Sequence, residues 1–158
     1  MKTRTRIELV GACIGLVWAL MMPMYYGYDY STQPIALIAI AGVITGILLS
    51  LALWKLLIKS SHWVALCIGL LALPLGVFCF GVICGTFSLI IGLVTGGGYV
   101  TFSGVFEVPL YEGWMFVRVT AMVCSRWYLG FIIFPLAAVM SYLLQLAILY
   151  KKSSRAST

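Results

Sequence analysis

Four long apolar runs follow one another along the chain; short segments separate the first three, and a longer segment precedes the fourth. They cover residues 7–28, 34–58, 63–84 and 127–149. About 20 apolar residues allow a helix to cross the hydrocarbon core of a bilayer, where a helix satisfies all of its own backbone hydrogen bonds. The pattern therefore predicts an all-α integral membrane protein, a four-transmembrane-helix bundle that forms a single membrane domain over residues 1–158.

The first run follows Lys2, Arg4 and Arg6 and has two interpretations, a signal peptide or a transmembrane helix. Its apolar stretch of about 20 residues is longer than the apolar core of a signal peptide. The segment WALMMPMYY also contains no small-x-small cleavage site. A transmembrane helix is therefore favoured.

The chain between the third and fourth runs is ambiguous, because no charged residue occurs from Ser60 to Phe106. That length accommodates one span or two. Short cytoplasmic loops are enriched in Lys and Arg, and of the ten basic residues four spans place eight inside, whereas five spans place seven inside. The eight are Lys2, Arg4, Arg6, Lys55, Lys59, Lys151, Lys152 and Arg155.

The four-span arrangement is favoured, and it leaves only Arg118 and Arg126 outside. Both termini are then cytoplasmic, with a cytoplasmic tail over residues 150–158. Residues 85–126 form a small extracytoplasmic or re-entrant segment between helices 3 and 4. The expected location is the plasma (inner) membrane, with several passes.

Within residues 85–126, the segment TGGGY is not a phosphate-binding loop, because it lacks the GxxxxGK[ST] and GxGxxG patterns and no cation follows before Arg118. Its glycines are expected to end a helix through a left-handed residue. Beyond them, YVTFS and WMFVRVTAM alternate apolar and polar residues. This alternation fits either a small hairpin or an interfacial helix, and both remain open.

The composition adds weight to a membrane location, since 63% of residues are hydrophobic and 9% are charged, against about 25% charged in an average soluble domain. The net charge of +6 comes from clusters beside the apolar runs. These clusters suit anionic lipid headgroups. The lipid bilayer is thus an expected partner and nucleic acid is not.

Four GxxxG pairs place small residues on one helix face, where they let two backbones approach closely. Packing within one bundle is the favoured use, and an oligomer interface is the alternative. The pairs are Gly11 and Gly15, Gly42 and Gly46, Gly81 and Gly85, and Gly92 and Gly96.

Catalytic and metal-binding chemistry is sparse: the chain has four acidic residues, one histidine and five cysteines without a CxxC motif. No metal, no cofactor and no enzymatic activity are expected. His62 is interpreted as a surface residue of a turn, and Glu8 as the i+4 partner of Arg4. Whether Cys84 and Cys124 form a disulfide is left open.

By elimination, the favoured function is a non-enzymatic membrane protein, either an accessory or interaction subunit or a protective protein of the immunity or exclusion type. Its partner would be another membrane protein, or a second copy of the chain. A small oligomeric transporter or channel is the alternative. The candidate recognition patch comprises Glu107, Glu112, Trp114, Arg118 and Arg126.

Overall fold

The computed structural model describes residues 3–26, 35–96, 104–125 and 127–154, and over these residues the protein is all-helical. It has five helices and no strand in this part of the chain. They are α1 (Thr3–Tyr26), α2 (Ile35–Lys59), α3 (His62–Val94), α4 (Gly104–Ser125) and α5 (Trp127–Ser154). The predicted helix boundaries at residues 28 and 34 lie outside the described residues.

Helices α1 and α2 form a close antiparallel pair because four glycines meet at their crossing. A Cβ atom added to Gly15 would collide with the carbonyl oxygen of Gly42, and one added to Gly46 would collide with that of Gly11. Glycine at both sides lets the two backbones touch, which favours dispersion contacts where lipid provides no hydrophobic drive.

Helix α3 begins and ends with capping residues. The Ser61 hydroxyl accepts a 3.4 Å hydrogen bond from the Val64 backbone N–H at its start. After Val94, Thr95 donates its N–H to Ile91 and Gly96 adopts a φ of 71°. The left-handed glycine predicted for TGGGY therefore ends this helix.

Helix α3 extends ten residues beyond the end predicted at residue 84, and the predicted boundary is wrong there. No proline interrupts this stretch, and its hydroxyls do not compete with the helix. Thr86 and Ser88 donate to the carbonyls of Val82 and Cys84, one turn earlier, at 2.8 and 3.1 Å. Its 33 residues are about 50 Å long at 1.5 Å per residue.

The segment that follows contains helix α4, so the hairpin interpretation of WMFVRVTAM is wrong; YVTFS lies outside the described residues. Helix α4 runs antiparallel to the C-terminal half of α3. A Cβ at Gly81 would lie 2.7 Å from Gly113, and one at Gly85 would lie 2.9 Å from Pro109. The contacts with α3 require residues at helical spacing, so this segment is a helix although its short apolar–polar alternation also fits a strand.

Helix α5 runs antiparallel to the N-terminal half of α3. A Cβ at Gly69 would lie 2.6 Å from the Ala137 carbonyl oxygen, and the Ser141 hydroxyl donates to the carbonyl of Ala65 at 2.8 Å. The helix continues to Ser154, so the tail predicted from residue 150 is helical in its first part. Lysine and serine do not break a helix, and no glycine or proline follows Tyr150 until the end of the chain.

The core consists of two hydrophobic clusters at different heights. One cluster, here called the base, contains Ile7, Leu57, Ala65 and Leu144. It joins the start of α1, the end of α2, the start of α3 and the C-terminal half of α5. The second, here called the upper cluster, comprises Ala19, Ile38, Ala41, Val77, Phe80, Cys84 and Phe116.

Two of the described helices, α2 and α3, are long and apolar enough to cross a membrane. In α5, the apolar stretch Gly130–Leu146 is shorter. Only 33% of the most apolar window of α2 and 22% of that of α3 are buried inside the protein. The other residues of these helices are partly or fully exposed, among them large apolar side chains such as Leu48 and Leu71.

Candidate interaction face and interior cavity

Helix α4 has one face fixed against α3. Pro109, Gly113 and Phe116 are buried on this face, and their spacing of four and three residues places them on one side of a helix. The Phe116 ring packs edge-on against Phe80, with ring centres 5.5 Å apart and planes at 79°. Small residues and one aromatic pair thus hold α4 in a defined orientation.

The opposite side of α4 is exposed and carries an acid, two aromatic rings and a base. Glu107, Tyr111, Trp114 and Arg118 follow one another at spacings of four, three and four residues, which places them in one stripe along the helix. The Tyr111 and Trp114 side chains are 61% and 57% exposed. These four residues are called the outer stripe, and it spans about 16 Å at 1.5 Å per residue.

The structure divides the predicted recognition patch. Glu107, Trp114 and Arg118 lie together on the outer stripe, whereas Glu112 lies on the side that faces α3. A Cβ at Gly85 would be 2.9 Å from the Glu112 Cβ, so Glu112 belongs to the helix contact. Arg126 lies outside the described residues. Tyr111 was missed by the patch prediction, although its position one turn before Trp114 is visible in the sequence.

The glycine pairs also separate in space. Gly11 and Gly15 face Gly42 and Gly46, and Gly81 and Gly85 face α4. A Cβ atom at Gly92 or Gly96 would have no heavy atom within 4 Å. The last pair therefore takes no part in helix packing within the described part of the chain.

A polar cluster lies next to the base, and it was missed by the sequence prediction. Gln145 is fully buried, and its amide nitrogen donates to the carbonyls of Leu57 and Ser60 at 3.2 and 2.8 Å. Its amide oxygen lies 3.1 Å from His62 Nδ1. Since both amide protons point to carbonyls, the imidazole nitrogen is the donor in the last contact.

This cluster closes the turn between α2 and α3. The last carbonyls of a helix have no partner within the helix, and Gln145 supplies one from α5. His62 also packs edge-on against Tyr142, with ring centres 5.4 Å apart. His62, predicted as a simple surface residue, is exposed but fixed by these contacts. The sequence did contain a signal for this polar cluster, namely Gln145, an amide side chain within an apolar run.

An interior cavity of about 120 Å³ lies between α1, α2, α3 and α5. Its wall consists mostly of small residues, among them Gly46 in α2, Gly69, Ala72 and Gly76 in α3, and Ala137 in α5. Leu144 of the base and Phe80 of the upper cluster also line it. The cavity therefore separates the two parts of the core.

The described residues place little catalytic chemistry together. No group of three His, Cys, Asp or Glu side chains among them could hold a metal ion. Arg4 pairs with Glu8 at 2.9 Å, as their spacing predicts. All five cysteines, including Cys84 and Cys124, are free thiols.

Fold and site together define an all-helical protein with two helices long and apolar enough to cross a membrane, an exposed aromatic stripe and an interior cavity. No family model, no curated protein and no solved structure matches the chain.

Proposed function

We propose that this chain is a non-enzymatic multi-pass membrane protein that binds another membrane protein through the outer stripe of α4. The observation that carries the proposal is the exposure of Tyr111 and Trp114 between Glu107 and Arg118 on a helix whose other face is fixed against α3. Exposed aromatic residues on a rigid element make the strongest contacts in protein interfaces.

A bilayer is the environment that suits the rest of the surface. Large apolar side chains point outward on α2 and α3, for example Leu48 at 54% and Leu71 at 77% exposure. A soluble protein rarely exposes apolar patches of such extent. Lipid chains solvate this surface without cost.

The base faces the cytoplasm in this proposal. Arg4, Arg6, Lys55 and Lys59 lie on the helix ends that meet there, and cytoplasmic ends of membrane helices are enriched in such residues. Because α1 starts and α5 finishes at the base, both chain ends are cytoplasmic. Helices α4 and α5 together then make the fourth crossing, and α4 starts near the extracytoplasmic side.

Binding is favoured over transport by the state of the buried polar groups. The buried polar side chains among the described residues are Thr45, Ser50, Ser141 and Gln145, and each donates a hydrogen bond within the bundle. Transporters and ion channels usually place ionisable residues or open carbonyls along the path. The two proposed roles, an accessory subunit and a protective protein of the immunity or exclusion type, both require only a bound partner.

Site-specific photocrosslinking in the native membrane tests the proposal. The photoreactive amino acid p-benzoylphenylalanine replaces Trp114 or Tyr111, and Leu71 on the exposed face of α3 serves as the matched control. The expected result is an adduct with one other membrane protein from the α4 positions and none from Leu71. Exchanging the charges by Glu107→Lys with Arg118→Glu should lower its yield roughly fivefold, since an exposed ion pair contributes up to about 1 kcal/mol.

Two results would overturn the proposal. One is an adduct between two copies of this chain and nothing else, which would make the stripe a self-association surface. The other is solute or ion flux in liposomes that contain only this protein, which would support the small oligomeric transporter or channel.

A further inference from the structure

We propose that the interior cavity is a binding site for the end of a phospholipid acyl chain. The site is independent of the outer stripe, because it lies between α1, α2, α3 and α5 whereas the stripe lies on α4. The chemistry of the cavity wall, the size of the cavity and its opening all suit such a chain.

The wall offers almost nothing to a polar molecule. Three hydroxyls line the cavity, those of Thr45, Ser50 and Ser141. Each donates its proton to a backbone carbonyl, at 2.8, 2.9 and 2.8 Å respectively. A polar occupant would find no free donor on these three groups, and the carbonyls they meet are already used within helices.

Water is therefore a poor occupant. A buried water molecule normally makes about three hydrogen bonds to polar groups, whereas cavities lined by apolar atoms stay dry and take up apolar molecules. The rest of this wall consists of glycine Cα atoms, alanine methyl groups, larger apolar side chains such as Leu73 and Met140, and Trp18, whose indole ring carries a single N–H. Their chemistry selects hydrocarbon.

The size fits part of a chain rather than a whole lipid. The volume of about 120 Å³ is close to that of an apolar cavity of about 150 Å³ that binds benzene. The cavity is also partly open to the surroundings of the bundle. A few terminal carbons can lie inside while the remainder of the chain stays in the bilayer.

One of the small residues that create the space, Gly76, is not explained by helix packing. A Cβ at Gly76 would meet only the end of the Leu49 side chain, at 2.9 Å, so a larger residue fits there if Leu49 turns. Gly69, by contrast, is in contact with the α5 backbone. Because Gly76 has no side chain, it leaves space in the cavity, and no helix contact requires glycine at this position.

The test uses the full chain reconstituted in phosphatidylcholine vesicles that contain a phospholipid with a photoreactive diazirine near the end of one acyl chain. Mass spectrometry locates the labelled residues. The expected result is labelling of Met140 and Leu73 in the cavity, in addition to the outward-facing Leu71. Gly76→Leu, or separately Ala72→Leu, should lower labelling of the two cavity residues at least about fivefold, because the added side chain occupies the space.

The control is Gly92→Leu, a substitution on the same helix at a position with no heavy atom near its Cβ. It should leave the cavity labelling unchanged, and Leu71 labelling should stay constant in every variant. Labelling of Leu71 alone in the wild-type protein would overturn the proposal, and this readout does not depend on how the variants fold. Equal labelling of Met140 in wild type and in folded Gly76→Leu would also overturn it.

Discussion

At the scale of single residues, Gln145 is the side chain whose role is best defined. It is fully buried in an otherwise apolar helix, yet both of its polar atoms have partners. Its amide satisfies the carbonyls of Leu57 and Ser60 that the end of α2 leaves open. A buried amide is tolerated at low dielectric only when its hydrogen bonds are made, and here one side chain joins α2, α3 and α5.

Replacing this amide by an apolar side chain of similar size should destabilise the bundle. In Gln145→Leu, the Ser60 carbonyl and His62 Nδ1 lose the amide as a partner, and the Leu57 carbonyl keeps only its 3.0 Å bond from the Ser60 hydroxyl. This loss costs about 1–3 kcal/mol. Unfolding of the purified protein by a graded rise in denaturing detergent measures the loss. The matched control is Leu143→Ala on the exposed face of the same helix, which should change stability by under about 0.5 kcal/mol. Equal stability of Gln145→Leu and wild type would show that water replaces the amide.

At the scale of helix pairs, identical sequence motifs have different structural roles. Gly15 and Gly92 each belong to a GxxxG pair, but Gly15 touches the backbone of α2, whereas a Cβ at Gly92 would meet no heavy atom of the described residues within 4 Å. The motif shows that a helix face is flat. It does not show whether another helix lies on that face, because that depends on residues far away in the sequence.

The difference predicts opposite effects of alanine at the two positions. In Gly15→Ala, the new methyl group would overlap the Gly42 carbonyl, so α1 and α2 must separate at a cost of about 1–3 kcal/mol. In Gly92→Ala, the higher helix propensity of alanine should add up to about 1 kcal/mol. The same detergent unfolding experiment compares them. A loss of stability in Gly92→Ala similar to that in Gly15→Ala would contradict the assigned contacts.

At the scale of the whole molecule, the positions of the charged residues follow the arrangement of the helices. The base gathers the helix ends that carry Arg4, Arg6, Lys55 and Lys59, whereas Glu107 and Glu112 lie on α4, away from it. In the proposed orientation the base is cytoplasmic, since the cytoplasmic ends of membrane helices are enriched in Lys and Arg.

Cysteine labelling in intact cells tests this orientation. In a background with the five native cysteines replaced by serine or alanine, a reagent that cannot cross membranes should label Glu107→Cys directly. It should label Lys59→Cys only after the cells are permeabilised. Both positions are exposed, so accessibility on the correct side is the only difference between them. The reverse pattern would place the base outside and contradict the assignment of the termini.

Several features of this protein follow from the sequence because they depend on neighbouring residues alone. Helical class, the glycine that ends α3 and the Arg4–Glu8 pair are all local. The extension of α3 to Val94 and the helical state of α4 were harder to predict, since a charge-free stretch contains no boundary signal and a short alternation fits two structures. There the local preferences are weak and tertiary contacts decide.

The amino-acid sequence by itself determined that the chain is helical and apolar, because hydropathy and helix capping act within a few residues. Only the tertiary structure decided which glycines touch, and that Glu112 faces α3 while Trp114 and Arg118 face outward with Glu107. It also decided that Gln145 closes the α2–α3 turn, and that small residues from four helices line one partly open cavity. Each of these depends on the distance between residues that are remote in the chain, and that distance exists only once the helices have packed.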